Sequence, residues 1–191
     1  LNDEKKKKYQ NNLKTILKQI KQIESLVNEF SDFARMPKPL IKNNDLIKIL
    51  DENIELLKKI DSSINFKINN RTEKKVIINF DNEQFNRLFF NLIKNSIESI
   101  QEKVKKTNKT LKNIDIEINQ RRDYITVNLI DSGEGFKNKK TKDIIKPYYT
   151  TKEKGTGLGL SIVDKIINDH NGSIKFLNTN NGAKVQIIIP K

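Results

Sequence analysis

Tyr9, Leu13, Ile16, Ile20, Ile23, Val27, Phe30 and Ala34 follow one another at alternating steps of four and three residues. Lysine, glutamate and asparagine fill the positions between them. This is a heptad seam, and it predicts one long helix over 3–34. A lone helix cannot bury so narrow a stripe, so the pattern requires partner helices from another chain or from sequence outside this one. Arg35-Met36-Pro37-Lys38-Pro39 ends the helix, because two prolines this close forbid helix and stiffen the chain. Asp45 is then placed to N-cap a second helix, with Leu46, Ile49, Leu50, Ile54, Leu57 and Ile60 on its apolar side.

Alternating residues in 64–68 and 75–80 read as short strands, and Asp81 as the N-cap of a third helix reaching about Lys105. That helix turns Phe85, Leu88, Phe89, Leu92, Ile93, Ile97 and Ile100 inward. Residues 103–112 read as a polar loop, and 114–120 and 124–130 as strands around an Arg121-Arg122-Asp123 turn. The stretch 131–157 lacks periodicity and reads as a long ligand-binding loop. A helix over 158–170 stops at Asn171-Gly172, and a hairpin over 173–189 turns at Asn180-Asn181-Gly182. The order after Pro39 predicts an α+β fold, a two-layer sandwich with helices on one face of a mixed sheet.

Composition changes this picture little. The charge is 37 − 24 = +13, but the lysines are spread along the chain with few arginines and no interleaved aromatics. That reads as a compositional habit rather than a nucleic-acid footprint. With no cysteine, disulfides and thiolate metal sites are excluded. No apolar run approaches the ~20 residues that span a bilayer.

The candidate chemistry lies in three places. Asn91 and Asn95 share one face of the third helix, a turn apart, and amide oxygens suit Mg2+, which takes one or two protein oxygens beside phosphates and water. Asp131 closes an apolar strand beside Gly133 and Gly135, where its carboxylate can accept from an exocyclic amine lying flat on backbone. Finally, 147–160 (PYYTTKEKGTGLGL) carries Gly155, Gly157 and Gly159 into a helix start. Glycines there let backbone approach a ligand closely, and the helix start offers free N–H groups to anions. The segment reads as a basic lid over phosphates.

Taken in order, NLIKNSIESI (91–100), DSGEGF (131–136), KPYYTTKEK (146–154) and GTGLGLSIV (155–163) resemble the four ATP-binding boxes of sensor histidine kinases. Those kinases belong to the GHKL superfamily, with gyrase, Hsp90 and MutL. HNGSI (170–174) and NGAKVQIIIP (181–190) are similar to the usual end of that domain, and SLVNEFSDFARMPKP (25–39) to the end of the dimerisation helices in NtrY-type kinases. The resemblance implies a Bergerat-type ATP-binding domain over 45–191, a linker over 37–44, and over 1–36 the second helix of a dimerisation and histidine-phosphotransfer hairpin.

By the same resemblance, ATP or ADP and Mg2+ are the cofactors. Asn95 holds the metal and Asn91 supports it, with Asn91 and Lys152 as the catalytic pair. Asp131 holds the adenine amine, with Gly133 and Gly135 shaping its pocket. Tyr148, Tyr149, Thr150 and Thr151 belong to the lid, and Lys152 reaches the γ-phosphate. Gly155, Thr156, Gly157, Leu158, Gly159 and Leu160 line the phosphates. Tyr148 and Tyr149 stand where phenylalanine is usual, and Ala183 where threonine is common.

The resemblance further implies transfer of the γ-phosphoryl to a histidine, relay to a response-regulator aspartate, and a cytoplasmic homodimer. Membrane contact would come only through upstream segments, and no nucleic acid is expected. His170 is the one histidine, and its place in HNGSI implies helix capping rather than phosphorylation. The acceptor is therefore expected upstream of Leu1, and this chain alone should bind nucleotide without phosphorylating itself. The alternatives are a GHKL-type ATPase and a non-catalytic dimerising nucleotide-binding module. The hydrolysing relatives carry glutamate where Asn91 stands, and an amide is no general base.

Overall fold

The heptad-spaced residues form one helix, α1 (Asp3–Ala34). The structure, a computed structural model, describes residues 3–70, 75–107, 111–136, 141–150, 152 and 155–191. Tyr9, Leu13, Ile16, Ile20, Ile23, Val27 and Phe30 remain 47–62% exposed along α1. Phe33 and Met36, at and just beyond its end, are the residues that pack on the core.

After α1 come β1 (Lys42–Asp45), α2 (Leu46–Lys58), β2 (Asn65–Asn70), β3 (Ile77–Phe80), α3 (Asn82–Thr107), β4 (Asn113–Gln120) and β5 (Tyr124–Asp131). The short α4 (Thr141–Ile144), α5 (Gly159–Asp169), β6 (Ser173–Asn178) and β7 (Ala183–Pro190) complete the chain. The main sheet has the order β2-β4-β5-β7-β6, with β2 parallel to β4 and the other neighbours antiparallel.

Period-two alternation turns Ile114, Ile116, Ile118, Ile125, Val127, Leu129, Val185, Ile187 and Ile189 to one face, where all are buried. The other face is mostly polar: Asn128 donates to Glu117 at 3.2 Å and accepts from Gln186 at 3.1 Å across three neighbouring strands. Helices cover only the apolar side. α3 lays Phe85, Leu88, Phe89, Leu92, Ile93, Ile97 and Ile100 against the core, and each such side chain contributes about 1.5–3 kcal/mol. α2 and α5 flank α3. This anchoring makes α3 a rigid platform for whatever its remaining face carries.

Both predicted caps form. Asp45 Oδ1 accepts from Ile47 N–H at 3.1 Å, and Asp81 Oδ1 from Gln84 N–H at 3.0 Å. Asp81 Oδ2 also takes the Leu40 N–H at 2.6 Å, and Gln84 Nε2 donates to the Pro37 carbonyl at 3.0 Å. The proline segment is thereby strapped to the start of α3. The strand β1, which begins inside 37–44 and ends at Asp45, differs from the sequence reading. Lys-Asn-Asn-Asp shows no apolar alternation, and its pairing with β3 is fixed from outside, partly by Asn44 Nδ2 donating to the Phe80 carbonyl at 2.8 Å. Ile60 falls past the end of α2 and is 64% exposed rather than packed. α3 runs on to Thr107, and α4 interrupts the stretch expected to be loop.

Candidate active site

Asp131 ends β5, and the alternation that buries Val127 and Leu129 also turns its carboxylate inward, leaving it 6% exposed. Its Oδ1 accepts from the N–H groups of Gly133 (2.8 Å) and Ala183 (3.3 Å), and its Oδ2 from the Ser96 hydroxyl (3.1 Å). Burial holds the carboxyl above the usual aspartate range. The opposing pull comes from Gly133, Ser96, Ala183 and the Lys103 charge. The glycines here are required by space: a Cβ on Gly182 would lie 2.1 Å from the Asp131 carbonyl oxygen, and one on Gly133 2.3 Å from Ser99 Oγ. Gly135, at φ +77°, faces Asn178, whose Oδ1 takes the Phe136 N–H at 2.7 Å.

Asn91 and Asn95 lie a turn apart on the exposed side of α3. The Asn91 amide donates back to the Arg87 carbonyl at 2.9 Å, and its Oδ1 lies 3.2 Å from where a Cβ on Gly159 would be. The glycine segment therefore packs directly on the two asparagines. Asn95 Oδ1 accepts from Lys152 Nζ at 3.2 Å, and the same ammonium is ion-paired with Glu98.

Gly157, at φ +72°, lets the chain pass within 2.5 Å (measured from a hypothetical Cβ) of the Tyr148 carbonyl carbon. Tyr148 itself sits at φ +64°, uncommon for a residue with a side chain. Its ring stacks on Phe30 of α1 at 6.4 Å between centroids, and the Thr156 hydroxyl donates to the Glu29 carboxylate. Thr150 Oγ1 takes the Lys152 N–H at 3.1 Å, and Tyr149 N–H donates to the Lys146 carbonyl at 3.1 Å. α5 starts at Gly159 with no side-chain cap from Leu158, so its first-turn N–H groups face the asparagine side without one. Leu158 is buried, and Leu160 packs on the core. Thr151 lies outside the described residues.

Two groups of predicted residues thus meet along α3: Asn91, Asn95, Lys152 and Gly159 on one side, and Asp131 and Gly133 on the other, where Gly182 of the hairpin turn joins them. Ser96, adjacent to Asn95, joins them. His170 is elsewhere. It is 6% exposed, with Nδ1 2.8 Å from the Ile166 carbonyl and Nε2 accepting the Asp81 N–H at 3.0 Å. A carbonyl can only accept, so the proton sits on Nδ1 and the ring closes the end of α5 against the start of α3.

Ser96, Glu98, Ser99 and Lys103 escaped the sequence reading. Ser99 Oγ accepts the Glu134 N–H at 3.0 Å. The Lys103 ammonium donates to the carbonyls of Ser132 and Gly133, each at 3.0 Å, and to that of Asn181, clamping the Asp131 loop to the β6–β7 turn. The signal was present: Asn91, Asn95, Ser99 and Lys103 step by four, which puts them on one helical stripe. A cavity of about 430 Å³ opens between Lys103, Gly133, Glu134 and the turn residues Asn178 to Gly182, adjoining the surroundings of Asp131.

Residues 80–191, more than half of the chain, match the family model described as histidine kinase-, DNA gyrase B- and HSP90-like ATPase. Nitrogen regulation protein NtrY of Azorhizobium caulinodans is 33% identical over 161 residues, covering 84% of this chain and 20% of that protein. Sporulation kinase C of Bacillus subtilis is 32% identical over 178 residues, covering 92% of this chain and 40% of that protein. The chain spans well under half the length of these relatives. Among solved structures, the catalytic domain of histidine kinase ThkA in a nucleotide-free form superposes with a TM-score of 0.67 at 29% identity, over 79% of this chain and 97% of that one. Acinetobacter baumannii histidine kinase AdeS shares the fold, with a TM-score of 0.72 at 17% identity over 93% of this chain and 83% of that one.

Proposed function

The chain belongs to the histidine kinase-, DNA gyrase B- and HSP90-like ATPase family, and from that premise we propose that it is the ATP-binding core of a sensor histidine kinase, transferring the γ-phosphoryl group of MgATP to a histidine outside this chain. The observation that carries this reading is the Asp131 carboxylate, buried beneath a glycine loop with two backbone N–H groups and one hydroxyl on its oxygens. A carboxylate so placed has lone pairs left only for a donor entering from the pocket, which is what the adenine amine is. Ala183 removes the hydroxyl expected beside the base, and Ser96 supplies one from α3 instead.

The residues fit a divalent cation. Asn95 Oδ1 accepts from the Lys152 ammonium at 3.2 Å, which supports a place for positive charge there. Asn95 would hold Mg2+ with Asn91 in support, and the metal would neutralise phosphate charge. Lys152, Thr156 and the N–H groups of Gly155, Gly157, Leu158, Gly159 and Leu160 would orient the polyphosphate. Tyr148, Tyr149, Thr150 and Thr151 would cover it. Positioning and charge neutralisation are most of what phosphoryl transfer asks of a protein. Asn91 offers no general base for water, which favours transfer to a protein acceptor over hydrolysis.

In this reading the phosphoryl group passes on to a response-regulator aspartate. The exposed α1 seam pairs in a homodimeric hairpin bundle on the cytoplasmic side of a membrane. No helix among the described residues is itself long and apolar enough to cross one. Calorimetry tests the core claim: ATP and ADP bind with Kd on the order of micromolar, and Asp131→Ala abolishes the heat. Wild-type chain that binds neither nucleotide refutes it. Incubation with labelled ATP should leave the chain unlabelled, since His170 is buried with both ring nitrogens engaged.

A further inference from the structure

Among the described residues the ammonium of Lys152 has two oxygen partners, and both come from α3. Asn95 Oδ1 lies 3.2 Å away and the Glu98 carboxylate is in direct ion-pair contact. Asn95 and Glu98 are three residues apart, so the helix itself sets one neutral and one anionic oxygen side by side. That combination of lone pairs and negative charge is what a hard divalent cation seeks, and two protein oxygens leave room for phosphates and water. Among the described residues no group of three or more His, Cys, Asp and Glu gathers to hold a metal, so any seat here is this amide and carboxylate with the nucleotide's own oxygens.

We propose that Glu98 is a cation-seating residue of this site: with Asn95 it forms a two-oxygen seat that Lys152 fills until a divalent cation takes its place. The logic is one of charge exchange. A polyphosphate approaching Asn95 meets the Glu98 carboxylate, which repels it unless a cation stands between them. Lys152 can turn to the phosphates only by leaving Glu98 bare. A divalent cation arriving with the nucleotide neutralises Glu98 and releases the ammonium in one event. The side chains of Lys152 and Glu98 are 26% and 35% exposed, so neither is locked in the core and the pair is free to exchange.

The inference rests on the nucleotide-binding reading, and its test separates the two. ADP binding to the wild-type chain is measured first with excess Mg2+ present, and the samples for the next step are prepared free of it. Its absence overturns both the reading and the inference. With ADP saturating, Mn2+ is then titrated and its binding followed by electron paramagnetic resonance, for wild type, Glu98→Gln and Lys152→Met. ADP carries no γ-phosphate, so any phosphate contact that Lys152 makes there does not enter. Glu98→Gln should raise the Mn2+ midpoint about tenfold or more, the scale of losing a group that supports a metal ligand. Lys152→Met should lower it about two- to fivefold, the strength of the part-exposed ion pair that competes with the metal. A merely structural ion pair would move both variants the same way or neither. An unchanged midpoint in Glu98→Gln, or shifts of the same sign in both variants, overturns the inference while ADP binding leaves the nucleotide reading standing. Melting temperatures within a few degrees of wild type establish that the variants compared are folded.

Discussion

The backbone N–H of Asp81 donates to Nε2 of His170 at 3.0 Å, joining the first turn of α3 to the last residues of α5 across 89 positions of sequence. Asp81 is also the cap of α3 and the anchor of Leu40. One imidazole therefore ties together the helix that carries both asparagines, the helix that opens with the glycine segment, and the strap from α1. Phe85 packs edge-on against the ring at 4.8 Å.

His170→Ala should accordingly act on stability and leave chemistry alone. It strands a buried N–H and opens a cavity beside Phe85, a loss of about 3 kcal/mol. Urea unfolding reads the loss, and calorimetry should find nucleotide affinity within about twofold of wild type in the folded fraction. A stable variant that no longer binds nucleotide would reverse the assignment of His170 as structural.

Asp131→Asn makes the opposite case. Asn is isosteric: its oxygen can keep the N–H groups of Gly133 and Ala183, and its amide can donate to Ser96 Oγ. Burial raises the native Asp131 pKa above its unfolded value. The unfolded chain thus ionises first as pH rises, and stability falls from the ordinary aspartate range up through the native pKa, then levels off. The Asn variant lacks that decline, so its melting temperature should exceed wild type at pH 8 and converge with it towards pH 3. Its amide presents N–H where the adenine amine needs an acceptor, costing about 2–3 kcal/mol, or roughly 30- to 150-fold in affinity. A variant less stable than wild type at pH 8 would show that the buried charge is no burden.

Lys103→Met removes the clamp on the carbonyls of Ser132, Gly133 and Asn181. Nothing else described reaches all three, and the loop beneath Asp131 should loosen. Nucleotide binding should weaken by about 1–2 kcal/mol, roughly five- to thirtyfold. Arg should not rescue it, because a planar fork cannot converge on three carbonyls as an ammonium does. Lys106→Met, which removes only the exposed pair with Glu134, is the matched control and should bind as wild type does. Equal effects of the two substitutions would mean that loss of basic charge alone is being measured.

These cases show where sequence is transparent. Periodicity finds α3, β4, β5 and β7 because each buries one apolar face on the core, and α1 because its apolar stripe, exposed here, keeps an equally regular period. The caps at Asp45 and Asp81 were legible because they act within their own helix. β1 was not, since its hydrogen bonds belong to β3 and leave no trace in Lys-Asn-Asn-Asp. The site divides the same way. Asn91, Asn95, Asp131 and the glycines stand in short linear motifs. Glu98 and Lys103 work on partners 54 and 29 or more residues away; the four-residue stripe from Asn95 hints at Lys103, and only the i, i+3 spacing from Asn95 hints at Glu98. The Phe30–Tyr148 stacking was hidden for a further reason: Phe30 reads equally well as one more seam residue.

That last contact has a consequence for the glycine segment. Phe30 stacks on Tyr148 and Glu29 accepts from Thr156, so neighbouring residues of α1 hold both flanks of Gly157. An aromatic pair contributes about 0.5–1.5 kcal/mol, comparable to the cost of local opening in a segment with few other contacts. Phe30→Ala should therefore speed amide exchange in 147–150 and 155–158 by roughly two- to tenfold in nucleotide-free protein. Thr156→Val should do so to a lesser degree. Exchange in β5 and β7 should not change, since Phe30 touches neither. Saturating ATP should erase the difference if nucleotide becomes the main partner of the segment. Equal protection in wild type and Phe30→Ala without nucleotide would show that α1 leaves the segment's stability untouched.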